Sequence, residues 1–174
     1  IMPNWCSNTV VLQHSDPAMI TRAAEALRGD TLFAEFVPLG GDGLHGWNYD
    51  LAVENWGTKW NCGDGFVNDN GGYWFSTAWS PACPIVLELS ELIGESLRLT
   101  YLEEGMGFCG EFIAHPDGKY EDEMLVDGFD RPLRIKCSIA IKKDQITVDF
   151  TGTSSQINRP INSVFNYTYA YACY

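Results

Sequence analysis

The first organised apolar run is "SNTVVLQ", Ser7 to Gln13, whose β-branched residues predict a strand. "SDPAMITRAAEALRG" then changes period. Asp16 suits a helix cap, Pro17 the first helical position and Gly29 the site just past the end, while Ile20, Ala23, Ala24 and Leu27 share one face. Residues 30 to 50, with "PLGGDGLHGWN", lack periodicity and read as a long surface loop with a short helical turn after it. "GTKWNCGDGFV" and "GGYWFSTAW" flank "NDNGG", whose Asn-Gly and Gly-Gly pairs permit a tight turn, and so predict two hairpin strands. "SPACPIVLELSELIGE" returns to helical spacing through Ile85, Leu89, Leu92 and Ile93, with Ser80 placed to cap, Pro81 at the first position and Pro84 in the first turn. Alternation at Leu97, Leu99 and Tyr101 predicts a fourth strand.

Strand, helix, strand, strand, helix, strand is the order of a split βαβ unit. The expected fold is therefore α+β, a ferredoxin-like sandwich of a four-stranded antiparallel sheet with two helices on one face, made irregular by the long insertion before the second strand. Past residue 114 the pattern changes. "RIKCSIAIKKDQITVDFTG" puts Ile135, Cys137, Ile139 and Ile141 on one side, turns near Lys143 and Asp144, and alternates again through Ile146, Val148 and Phe150. This predicts an appended β-hairpin. The aromatic run "RPINSVFNYTYAYACY" fits a strand or a helix equally well.

Two families share motifs with the chain. "MPNWCSN", "ENWGTKWN", "FSTAWSP" and "EEGMGFCG", in that order, resemble the YubB-type ferredoxin-like domain of plasmid and phage proteins, which implies the fold reached above and little biochemistry. "PDGKYEDEMLVDG" and "RPLRIKCSIAIKKDQITVDFTGTSSQINRPIN" resemble an internal segment of the hydantoinase B and 5-oxoprolinase family. The expected division is a YubB-type domain over residues 1–114 and a hydantoinase-B-like β-rich fragment over residues 115–174, docked on the first.

Charge supports two sources of sequence. Residues 1–114 hold 15 Asp and Glu against 4 Lys and Arg, whereas residues 115–174 hold 8 against 7, and all six tryptophans lie at or before Trp79. At 174 residues and 45% hydrophobic composition the chain can close a core. No apolar run approaches the roughly 20 residues a membrane helix needs, and the first residues show no export signal, so a cytoplasmic location is expected. The six cysteines form no CxxC pair and read as free thiols, without a metal site or cofactor.

The most site-like stretch is "ENWGTKWN". Trp56 and Trp60 flank Lys59, the only basic residue between Arg28 and Arg98, and a cation among aromatic rings can receive an anionic or planar ligand. The competing reading packs both rings on the sheet and leaves Lys59 on the surface. Glu103 and Glu104, beside a glycine turn, are further binding candidates; neighbours on a strand face opposite sides, which makes them a poor acid/base pair, and the competing reading is a solvated strand end. Asp149 and Thr151 read as a strand-end turn. No residue qualifies as catalytic.

Trp60, Tyr73 and Phe75 fit the aromatic sheet face of an RNA binder, but the acidity of residues 1–114 opposes direct nucleic-acid binding. The expected function is a non-enzymatic interaction module that engages a host protein through an acidic face or the tryptophan-rich loops, as a nucleic-acid mimic would. The alternative is a remnant or subunit of a hydantoinase or oxoprolinase type of cyclic amide hydrolase, or an activity near Lys59, Cys62 and Cys109. A homodimer through an open sheet edge is a further expectation.

Overall fold

Backbone pairing joins the front and rear of the chain into one sheet. The computed structural model describes residues 4–39, 47–126, 130–158, 162 and 168. Its strands are β1 (Trp5–Val11), β2 (Gly63–Val67), β3 (Gly72–Ala78), β4 (Leu97–Glu103), β5 (Phe108–Ala114), β6 (Tyr120–Val126), β7 (Leu133–Lys142) and β8 (Gln145–Asp149). They run antiparallel in the order β2-β3-β1-β4-β5-β6-β7-β8. The helices are α1 (Pro17–Arg28), α2 (Leu32–Phe36), α3 (Tyr49–Trp56) and α4 (Cys83–Ile93).

The four-stranded sandwich expected from the sequence is thereby corrected to an eight-stranded sheet that carries α1 to α4. A four-stranded sheet would leave β4 as an edge. Instead the chain turns at residues 104–107, with Gly107 at φ 69°, and β5 pairs with β4 along seven residues from Glu103↔Phe108 to Leu97↔Ala114. A second tight turn, where His115 N–H donates to the Lys119 carbonyl at 2.9 Å, sends β6 back along β5. The β7–β8 hairpin turns at Lys143 and Asp144, but it continues the sheet through β6 instead of standing beside a finished domain.

Local chemistry sets the helices. In α1 the Asp16 carboxylate accepts from Ala18 N–H at 2.9 Å, and the positive φ after the helix falls on Asp30 at 55°, not on Gly29. Helix α4 starts at Cys83, later than the Ser80 cap predicts, because the Ser80 hydroxyl donates to the Gly57 carbonyl at 2.6 Å and is committed elsewhere. Pro84 still lies in the first turn, where its lost amide does no harm. The expected long loop contains α2, and α3 follows it, capped by the Asn48 side chain accepting from Leu51 N–H at 3.1 Å. Part of that loop, residues 40–46, lies outside the described residues, as does most of the aromatic run after residue 162.

Strict alternation on β4, with Leu97, Leu99, Tyr101 and Glu103 buried and the residues between them exposed, separates the two faces of the sheet. One face builds the core. Val10, Tyr73, Phe75, Leu97, Leu99 and Phe112 of the strands pack with Ala23, Leu27, Phe33, Trp56, Ile85, Val86 and Leu89 of the helices. The other face is solvated and carries cross-strand ion pairs, Arg98 to Glu111 at 3.1 Å, Lys136 to Glu121 at 3.6 Å and Arg134 to Glu123 at 3.7 Å. Such exposed pairs are worth at most about 1 kcal/mol each, so they favour solubility and register more than stability.

Candidate binding surface

The segment after α3 is held from below. Gly57 ends the helix at φ 74°, and a Cβ there would lie 2.7 Å from Pro84 Cγ on α4, so the position needs glycine both for its conformation and for the close approach. Thr58 donates its hydroxyl to the Ala78 carbonyl at 3.2 Å. Together with the Ser80 bond to Gly57, this ties residues 57–58 to the end of β3.

On that support the candidate residues separate. Trp56 is buried, 5.9 Å from Phe33 between ring centroids, with its indole N–H donated to the Val37 carbonyl at 2.8 Å. It belongs to the core. Trp60 instead lies outside, with Lys59 Nζ 4.5 Å from its ring centroid and Trp5 at 6.4 Å. Trp47 donates its indole N–H to the Lys59 carbonyl at 2.9 Å, and the backbone N–H of Trp79 donates to the carbonyl of Asn4, the residue before Trp5. Trp5, Trp47, Trp60 and Trp79 are 50%, 52%, 37% and 48% exposed, a concentration of open indole surface at the end of the sheet where β1 begins and β3 ends. Large apolar groups left in water together are characteristic of contact surfaces. Trp5, Trp47 and Trp79 are scattered in sequence and form no motif; only the β1–β3 pairing and the anchored 57–60 segment bring them to one end of the sheet.

Glu103 and Glu104 part company. Glu103 is 1% exposed, and its carboxylate accepts from Gly105 N–H at 3.1 Å and from Met106 N–H, so it organises the turn between β4 and β5. Glu104 is exposed in that turn. The sheet separates them from any shared acid/base task.

Two thiols, Cys6 and Cys62, are muted by burial. Burial, with a smaller contribution from the Glu103 carboxylate, pushes Cys6 up to about 11. Burial also pushes Cys62 up to about 11, with the Asp30 carboxylate adding to it. A thiol so raised is protonated at neutral pH and a weak nucleophile. Cys62 is 3% exposed and does not reach the surface near Lys59. Among the described residues no three His, Cys, Asp or Glu side chains converge as metal ligands.

Tyr73 and Phe75, considered as an aromatic nucleic-acid platform, are 4% and 1% exposed beneath the helices. The open face carries Phe66 stacked on Trp74 at 5.1 Å instead. At the other end of the chain Asp149 Oδ1 accepts from both the backbone N–H and the hydroxyl of Thr151, at 2.9 and 2.6 Å, forming a local turn. No helix among the described residues is long and apolar enough to cross a membrane.

The family model for hydantoinase B/oxoprolinase matches residues 103–174, from the end of β4 through β5 to β8 and on to Tyr174. That is less than half of the chain. No curated protein and no solved structure matches it. The comparisons lend no support to the YubB-type resemblance of the front section.

Proposed function

We propose that the chain is a binding module whose contact surface is the tryptophan-bearing end of the sheet. One observation carries this reading: at the end of the sheet where β1 begins and β3 ends, Trp5, Trp47, Trp60 and Trp79 are 37% to 52% exposed, with Trp60 against Lys59 and Trp5, and Trp47 bonded to the Lys59 carbonyl. Tryptophan is the residue most enriched among energetic hot spots of protein contacts, because it buries a large rigid area with little loss of conformational freedom. The formal charge of −12, concentrated in residues 1–114, steers the choice of partner toward a basic protein surface. Asp50 and Glu54 on α3 are exposed near this end and belong to the acidic surround.

Affinity capture with the double variant Trp60→Ala/Trp79→Ala tests the surface. A partner bound through it is lost from the variant while the circular dichroism spectrum stays unchanged, and capture falls as salt rises. A partner retained equally by the variant would remove the proposal.

The match at residues 103–174 favours a second reading, a portion of a cyclic amide hydrolase of the hydantoinase or oxoprolinase type. Ring opening of hydantoin or 5-oxoproline by the purified chain, abolished by a substitution among residues 103–158, would replace the module by this reading.

A further inference from the structure

The two outer strands of the sheet differ in how they meet water. β2 is irregular, with a register shift between Gly63 and Phe66 and Asp64 at φ 55°, and a bulged edge of this kind resists pairing with another strand. β8 has no such guard. It pairs in unbroken register with β7 from Lys142↔Gln145 to Ser138↔Asp149 and, among the described residues, has no neighbour on its other side. Its apolar side is open too: Ile146 is 68% exposed and its cross-strand neighbour Ile141 is 52% exposed.

We propose that β8 is a self-pairing edge, through which two copies of this chain join antiparallel about a twofold axis at Thr147. The strand complements itself in that register. Gln145 faces Asp149 of the second copy and Ile146 faces Val148, so no like charges are directly opposed and the apolar sides coincide. The wider charge distribution agrees. Residues 115–174 hold 8 acidic against 7 basic side chains, so an approach through β8 keeps the strongly acidic front sections of the two copies apart. Five residues of strand with a few isoleucines make a small contact, which gives a reversible dimer.

Sedimentation of the full chain over a concentration series tests the pairing. The wild type shows a monomer–dimer equilibrium. Ile146→Lys, at a site exposed enough to leave the fold intact, weakens it at least about tenfold. Thr147→Cys, oxidised, yields a covalent dimer linked through position 147, as located by peptide mapping. A chain that remains monomeric throughout, or a dimer indifferent to Ile146→Lys and not linkable at position 147, overturns the proposal.

Discussion

The Tyr101 hydroxyl on β4 donates to Asp122 Oδ1 on β6 at 2.8 Å, reaching across the strand between them. It can do so because Gly110 of β5 occupies that place: in register Tyr101 faces Gly110 and Gly110 faces Met124, and a Cβ on Gly110 would lie 2.5 Å from Tyr101 Cζ. A gap in one strand thus lets a front-section tyrosine bind a rear-section carboxylate.

Gly110→Ala is expected to destabilise the chain by about 1–3 kcal/mol, since the added methyl must displace the ring or spread the sheet against the Glu123 carbonyl. Denaturant unfolding measures it. A loss of only a few tenths would show that the ring moves freely.

Tyr101→Phe removes the donor and leaves a half-buried carboxylate without it, a loss of about 1–2 kcal/mol at neutral pH. Burial raises the Asp122 pKa above its ordinary 3.8, more than the Tyr101 bond lowers it. Folding therefore takes up a proton between the unfolded and the folded pKa. The Asp122 contribution is greatest in acid and declines as pH rises through the raised folded value. Asp122→Asn, which still accepts from Tyr101, abolishes that decline. Its stability relative to wild type should grow from about pH 4 upward and then level off, as read by urea unfolding at a series of pH values. A difference that is flat with pH would contradict this.

Gly57→Ala should loosen the tryptophan surface from below. The left-handed backbone and the Pro84 ring both oppose a side chain, and a loss of about 2 kcal/mol or more is expected. Thermal unfolding gives the loss. Increased fluorescence quenching by a neutral solute would report the disturbed Trp60 and Trp47.

In the folded protein Cys6 and Cys62 should resist alkylation at neutral pH, both because they are buried and because their thiols titrate near 11. Peptide mapping after brief iodoacetamide treatment, with and without denaturant, checks this. Rapid labelling of either without denaturant would mean that the core opens readily.

Local and medium-range structure was largely legible. Asp16 and Pro17 start α1, Asn68 to Gly72 form the β2–β3 turn, and Lys143 and Asp144 turn the last hairpin, each because the conformation follows from side chains within a few residues. β5 and β6 are not legible in the pattern of residues. In "YEDEMLV" charged residues alternate with Tyr120, Asp122 and Met124 on a face only half covered, so hydrophobic period is a weak signal there. The core role of Trp56 against the exposed position of Trp60 was likewise unresolved, since both lie in one motif and only the Val37 carbonyl and Phe33 distinguish them.

By itself the order of residues determined where helices and turns form and which strand faces are apolar, because these depend on neighbours in the chain. Only the tertiary structure decided that β4 is interior and not an edge, that Gly110 lets Tyr101 reach Asp122, and that exposed tryptophans from distant segments gather at one end of the sheet. Those outcomes depend on pairing between residues far apart along the chain, where backbone hydrogen bonds are satisfied by whichever strand arrives alongside, and single-sequence periodicity carries no information about which strand that is.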